Sequence, residues 1–355
     1  MALQNYALQV AVQSLGFNVY SLHDRNASSY FLRIIKKCAK YVLALLGSKK
    51  YRKQLSGKNN AKFHGKKFDA FYKKYLTNII SISRSEALDP QNKSQWDKFS
   101  YAIVGSDMVW HNWDNTDENL DFYYLSFVLP EKRVCYAPSF GVRKFLKKRT
   151  KFHKKYLPTF KKLSCRESSC CEAIRKLTGL DAVHVVDPSL LLQAENYRVI
   201  AKKPDYDVPE HFTISYFIED VEENRLDEFN GIIKKVGGNL KNIDIFNIND
   251  VEHFSTGPDE FLWLMDHADY IFTNSFHGTV FSIMFKKPFI AFQRVVDGMQ
   301  NKISDLLSTL GIAGRIYQND GKIPEGKIDY DSVYEKLNIR REISLNYLKE
   351  CLNVK

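Results

Sequence analysis

Ser275, His277, Gly278 and Thr279 follow an apolar run, Tyr270 to Thr273, and precede a second one that stops before Pro288. Read as strand, polar turn and helix, the segment puts these four residues at a strand's carboxyl end and a helix's amino end. Free backbone N–H groups and the positive end of the helix dipole make such a place an anion site. Gly278 would let a ligand approach the backbone, and His277 is the one side chain there that titrates near neutrality. The plain alternative is a capped turn between a strand and a core helix, with His277 merely hydrogen-bonded.

Such a turn needs a sheet behind it. The sequence reads as a helix over 2–16 and a strand over 18–22. Strands follow at 99–105, ending in Gly105-Ser-Asp107, and at 133–137. A helix at 167–178 is closed by Gly179, and a strand at 182–186 ends at Asp187-Pro188. The polar stretch 195–210, with Pro204 and Pro209, reads as a domain boundary. A second series of strands then runs through 211–217, 242–246, Tyr270–Thr273 and Phe289–Phe292. Strands alternating with helices argue for an α/β fold with parallel sheets covered on both faces. The expected division is an N-terminal lobe over 1–200 with a basic insertion at about 25–75, a C-terminal lobe over 201–335, and a closing helix at 336–355.

The motif Asn274-Ser-Phe-His-Gly-Thr279, its apolar helix and the following Lys-Pro resemble the C-terminal signature of the polysaccharide pyruvyl transferase family. Three further segments resemble the same family in the family's order. They are Ala102-Ile-Val-Gly-Ser-Asp-Met-Val-Trp110, Val134-Cys-Tyr-Ala-Pro-Ser-Phe-Gly141, and Ser164-Cys-Arg-Glu-Ser168 with Val185-Val-Asp-Pro-Ser-Leu-Leu-Leu192. The resemblance implies two Rossmann-like parallel-sheet lobes, GT-B-like, with a cleft between them. It implies transfer of the enolpyruvyl group of phosphoenolpyruvate onto two hydroxyls of a sugar in a cell-surface polysaccharide precursor, forming a cyclic ketal and releasing phosphate. The partners would be phosphoenolpyruvate and a sugar or lipid-linked oligosaccharide acceptor. It also places Arg166 and His277 on family positions linked with phosphoenolpyruvate.

That reaction sets tasks for particular residues. A small anion with a carboxylate and a phosphate needs positive charge and backbone donors. Arg166 offers a fork, and the Ser275–Thr279 turn offers donors. His277 is the first choice for the acid that protonates the enol carbon, and Asp107 is a candidate base for the acceptor hydroxyl. Ser106 flanks Asp107, and Ser139 and Gly141 would line the cleft. Trp110 and Trp113 could face the sugar. Each has a structural alternative: Arg166 pairing with Glu167 or Asp187, Asp107 capping a turn, Trp110 packing, Gly141 serving the backbone. No cofactor beyond the co-substrate and no essential metal is expected. Family members also begin with a strand and an Asn-Tyr-Gly-type loop; this chain opens at Met1-Ala-Leu-Gln-Asn-Tyr-Ala-Leu-Gln9, so that strand is expected to be missing.

With 44% hydrophobic and 14% aromatic residues over 355 positions, the chain can bury a sizeable core. It has no stretch of the ~18 apolar residues that a membrane span needs and no secretory signal pattern, which sets a cytoplasmic expectation. The six cysteines include no Cys-x-x-Cys and read as reduced, buried thiols. Walker, Gly-x-Gly-x-x-Gly and Gly-x-Ser-x-Gly motifs are absent. Asp205-Tyr-Asp207 and Asp329-Tyr-Asp331 mimic a metal motif and keep a nucleotide-sugar glycosyltransferase as one alternative. A truncated, non-catalytic, membrane-associated family member is the other.

Charge is uneven. Residues 25–74 hold 15 basic residues against Asp69 alone, on a chain of net charge +11, which makes the remainder nearly neutral. Within that insertion 31–46 reads as an amphipathic helix, with Arg33, Lys36, Lys37 and Lys40 on one face. A cationic helix followed by a lysine-rich loop, together 31–74, suits an anionic membrane surface with salt-sensitive, peripheral binding. The alternative is a core helix with a solvated basic face. No nucleic-acid module accompanies the lysines, so nucleic acid is not expected as a partner.

Overall fold

The computed structural model describes residues 2–25, 58–111, 117–141, 145, 147–218, 223–245, 256–293 and 302–354. The expected helix at 31–46, the start of the lysine-rich loop, Cys38 and Trp113 lie outside the described residues.

The N-terminal part begins with helix α1 (Ala2–Ser14), strand β1 (Ser21–Asp24), helix α2 (Lys58–Tyr75), strand β2 (Ile79–Ile82) and the short helix α3 (Arg84–Leu88). It continues through β3 (Ala102–Val104), α4 (Asp117–Tyr123), β4 (Arg133–Cys135), α5 (Lys147–Tyr156), β5 (Leu163–Cys165), α6 (Ser168–Thr178) and β6 (Ala182–His184). These strands pair two by two and in parallel: β1 with β2, β3 with β4, β5 with β6. Between the first two pairs the approach is made by rings, Phe17 against Tyr101 and Tyr20 against Phe99, at 5.9 and 5.2 Å. Gly179, at φ +75°, caps α6 as its position in the sequence predicts.

The C-terminal part follows α7 (Ala194–Arg198) with β7 (Phe212–Tyr216), α8 (Glu223–Gly237), β8 (Lys241–Asp244), α9 (Pro258–His267) and β9 (Tyr270–Thr273). Then come α10 (Phe276–Met284), β10 (Phe289–Phe292), α11 (Lys302–Thr309), β11 (Ile316–Tyr317) and α12 (Tyr330–Cys351). Its five strands form one parallel sheet in the order β8-β7-β9-β10-β11. Numbered within the sheet this is two-one-three-four-five, a doubly wound order whose switch point lies between β7 and β9. Ligands of such sheets sit beyond the carboxyl ends of the strands at that point, where the Ser275–Thr279 turn stands. Continuous apolar runs such as Phe289–Phe292, buried at all four positions, are what a strand covered on both faces requires.

α12 starts earlier than the expected 336 and returns across the molecule. Its first turn bonds the C-terminal part, Tyr334 Oη donating to Met284 O at 2.6 Å. Its later turns bond the N-terminal part: Ser344 Oγ accepts from Val186 N at 2.9 Å, and Tyr347 Oη donates to Cys135 O at 2.7 Å. One apolar core accordingly joins α1, β4, α9, α10 and α12, and a second gathers around Trp96, Trp110 and Phe160. No described helix is long and apolar enough to cross a membrane.

Two expectations are corrected. Cys165 and Cys170 form a disulfide, Cα atoms 5.9 Å apart, because the turn into α6 brings residues five apart together. Basic charge is also not confined to 25–74. Between Glu131 and Glu167 the sequence carries thirteen lysines and arginines and no carboxylate, and α5 lies within that run. The remainder of the chain is near neutral only as a sum.

Candidate active site

The turn after β9 is held by its own side chains. Ser275 Oγ caps α10 by accepting from Gly278 N at 3.3 Å, and Thr279 Oγ1 donates to Ser275 O at 3.0 Å. Both hydroxyls are fully buried. Gly278 answers a packing need: a Cβ there would stand 2.3 Å from Thr273 Oγ1, which is fixed by Tyr216 O and Ser275 N. The sequence offered Ser275, Gly278 and Thr279 to a ligand; the structure engages them inside the turn.

His277 points elsewhere. Its Nε2 is buried without a hydrogen-bond partner among the described residues. Burial, outweighing the pull of Asp187, lowers its pKa to about 4. At neutral pH the resting imidazole is therefore neutral, an acceptor before it can be an acid.

Arg166 leaves the end of β5 with its side chain 2% exposed and its fork filled. NH1 donates to Asp187 Oδ2 at 2.8 Å, Nε to Glu167 Oε1 at 3.1 Å, and NH2 reaches Asp107 Oδ1 at 3.4 Å. The guanidinium also lies 4.6 Å over the Phe276 ring, which ties it to the first residue of α10. Burial disfavours the charge, but Glu167, Asp187 and Asp107 outweigh it and hold the proton more firmly than in free arginine. Asp187 likewise stays below the usual carboxylate range, Arg166 overcoming the cost of its burial. Gln4 of α1 donates to Asp187 Oδ2 at 2.6 Å, and its own Oε1 is buried without a partner.

Asp107 is the most open member of this group, its side chain 27% exposed. It adopts φ +67°, its carbonyl accepts from Ser139 N at 2.8 Å, and its carboxyl is kept ionised because Arg166 and Lys302 outweigh its burial. Ser106 beside it is buried. Ser139 is fully buried, and its Oγ accepts from Gly141 N at 3.0 Å. Gly141 has φ +65° and no room for a Cβ, which would meet Met108 Sδ at 2.5 Å, so it serves the backbone. Trp110 is corrected from sugar platform to core: it is fully buried, stacks on Tyr124 and donates to Tyr123 O at 3.2 Å.

The sequence missed Lys302. It begins α11 and lines one pocket with Arg166, Asp187, Phe276, Asp305 and Arg340, so both parts of the chain and α12 meet there. Burial and the neighbouring Arg166 lower its pKa to about 8, leaving it mostly charged at neutrality. One turn on, Asp305 accepts from the Ser168 hydroxyl and stands 3.5 Å from His184 Nε2, which fastens α11 to α6. A lone lysine after Asn301 gives no periodic signal; only the pocket singles it out. The two Asp-x-Asp sequences have other work: Asp205 pairs with Lys67 at 3.1 Å, and Asp329 caps α12. Among the described residues no group of three or more His, Cys, Asp or Glu side chains is placed to hold a metal ion.

The protein is of the parallel-sheet α/β class, with Arg166 and Lys302 lining one pocket where its two parts meet. The polysaccharide pyruvyl transferase family model matches residues 2–294, and the chain belongs to that family. Among solved structures, two of the wall teichoic acid polymerase TagF soaked with CDPG align at TM-score 0.39. One is 12% identical over 92% of this chain and 93% of the other, the second 11% identical over 92% of each. At that score the likeness carries no inference for this chain. No curated protein matches it.

Proposed function

We propose that this protein transfers the enolpyruvyl group of phosphoenolpyruvate to a sugar or lipid-linked oligosaccharide of a polysaccharide precursor, as a pyruvate ketal. The observation that carries the reading is the pocket shared by Arg166 and Lys302, with the partnerless Nε2 of His277 buried within electrostatic reach of Arg166, Asp187 and Asp107. Lys302 would receive the phosphate, and Arg166 would hold its carboxylates in place and contribute charge. An arriving trianion raises the affinity of His277 for a proton, which the imidazole then passes to the methylene carbon. Two acceptor oxygens bond to the central carbon and the bond to the phosphate oxygen breaks. One hydroxyl proton balances the methyl group and the other leaves with phosphate. Asp107, ionised and partly open, would accept the first of them.

No cofactor or metal is required by this scheme. The site would lie between lobes of about 1–200 and 201–335, in a cytoplasmic protein held peripherally at an anionic membrane through 31–74, without a nucleic-acid role. Phosphate release from phosphoenolpyruvate over a panel of sugar acceptors tests the reading. His277→Ala and Arg166→Ala should each lose at least about a hundredfold in kcat/KM. Full activity in either folded variant would overturn it, and release of a nucleoside diphosphate from a nucleotide sugar would favour a glycosyltransferase.

A further inference from the structure

We propose that the exposed face of α5 is a docking surface for an anionic phospholipid bilayer. Of the thirteen lysines and arginines between Glu131 and Glu167, those that the structure describes include a buried set and an exposed set. Arg133 and Arg149 are buried, whereas Lys147, Lys148, Lys151, Lys154 and Lys155 on α5 are exposed. At 3.6 residues per turn these five fall within an arc of about 120°. Arg149, His153 and Tyr156 occupy the opposite side and fix it inward: Arg149 donates to His111 O, and Tyr156 donates to Asp121. Lys161 and Lys162 are exposed just past the helix, contacting Asn353 and Glu350.

Helix stability does not account for this face. Lys147 and Lys148 occupy a first turn without an acidic residue, where positive charge opposes the helix dipole. Lys147 and Lys151, then Lys151 and Lys155, are like charges four apart, an unfavourable spacing on a helix surface. The exposed helix α6, by contrast, pairs Lys176 with Glu172 at that same spacing. Lys154 and Lys155 in the last turn suit the dipole, and Lys155 donates to Tyr156 Oη at 3.0 Å; the unfavourable first turn and like-charge spacings are what an outside anion would offset. A bilayer suits this face better than a nucleic acid. The face presents compact ammonium groups; the rings beside them, the buried Tyr156 and half-buried Phe152, already lie under Lys155, and Arg133 and Arg149 are turned inward.

The experiment is sedimentation of the full chain with vesicles of mixed phosphatidylglycerol and phosphatidylcholine, against phosphatidylcholine alone, at low and high salt. The chain should bind only the anionic vesicles and release at high salt. Changing all five α5 lysines to Gln should weaken binding at least about a hundredfold. The milder pair Lys151→Gln with Lys155→Gln should lose about tenfold. Substituting Lys36, Lys37, Lys40, Lys49 and Lys50 separates the earlier basic region. Binding lost only in that second set, undiminished in the α5 variants, or seen with heparin or single-stranded nucleic acid but not vesicles, overturns the proposal. The readout is binding rather than turnover, so failure of the pyruvyl-transfer reading leaves this outcome untouched.

Discussion

Arg166 meets three carboxylates before any ligand arrives, while Lys302 in the same pocket forms no ion pair among the described residues. The two cations therefore differ in kind: one is a fixed part of the frame, the other an available charge. With Lys302 lowered to about 8, its positive form is complete below that pH and disappears as pH rises through it. The Lys302 share of phosphoenolpyruvate affinity should accordingly be flat to about pH 7 and fall through about pH 8. Lys302→Met should weaken affinity at least about tenfold at neutrality and flatten that alkaline limb. Isothermal titration at several pH values checks both; an unchanged limb in the variant would assign it to another group. His277 adds in the same direction at lower pH, because an imidazole lowered to about 4 that takes up a proton when an anion binds beside it makes affinity rise further as pH falls.

At the scale of elements, the tight turn between β9 and α10 is tested by Gly278→Ala. The new methyl would collide with Thr273 Oγ1, a hydroxyl fixed by two backbone groups, so it cannot swing away cheaply. A loss of about 1–3 kcal/mol in urea unfolding is expected; a neutral result would mean that β9 and α10 separate easily. This strand and helix were legible because their apolar runs are unbroken and their cap is local, and β9 and β10 fall on the residues read from the sequence. α5 was not legible. Lys147-Lys-Arg-Thr-Lys-Phe-His-Lys-Lys-Tyr156 has almost no apolar period, and its inward side is made of Arg149, His153 and Tyr156, whose polar ends find partners only in the fold. The filled fork of Arg166 was foreseen only as an alternative, since the approach of Asp187 and Asp107 is a product of tertiary contact. The Cys165–Cys170 pairing, the inward Trp110 and the cleft-facing Lys302 depend on packing in the same way.

Across the described residues burial lowers four histidines: His111 and His277 to about 4, His153 to about 3, and His184, where Arg340 adds to the effect. Each sits below its unfolded value of about 6.5, so the unfolded chain takes up protons first as pH falls. Their contribution is complete above about pH 6.5 and is lost toward pH 4. The thermal midpoint should fall across that window, before the buried carboxylates at Asp107 and Asp187 begin to protonate. Phe in place of His153 should reduce the slope; an unaltered slope would show that other groups set it.

α12 draws the same whole-molecule view further. It is bonded to Met284 near its start and to Val186 and Cys135 near its end, while the stretch before it, around Asn319, Asp320 and Gly321, is exposed. A chain severed at that stretch would not fall into two pieces. The short fragment carrying α12 would stay seated across both parts as a non-covalent splint, and separately expressed fragments split there should reassemble into one particle.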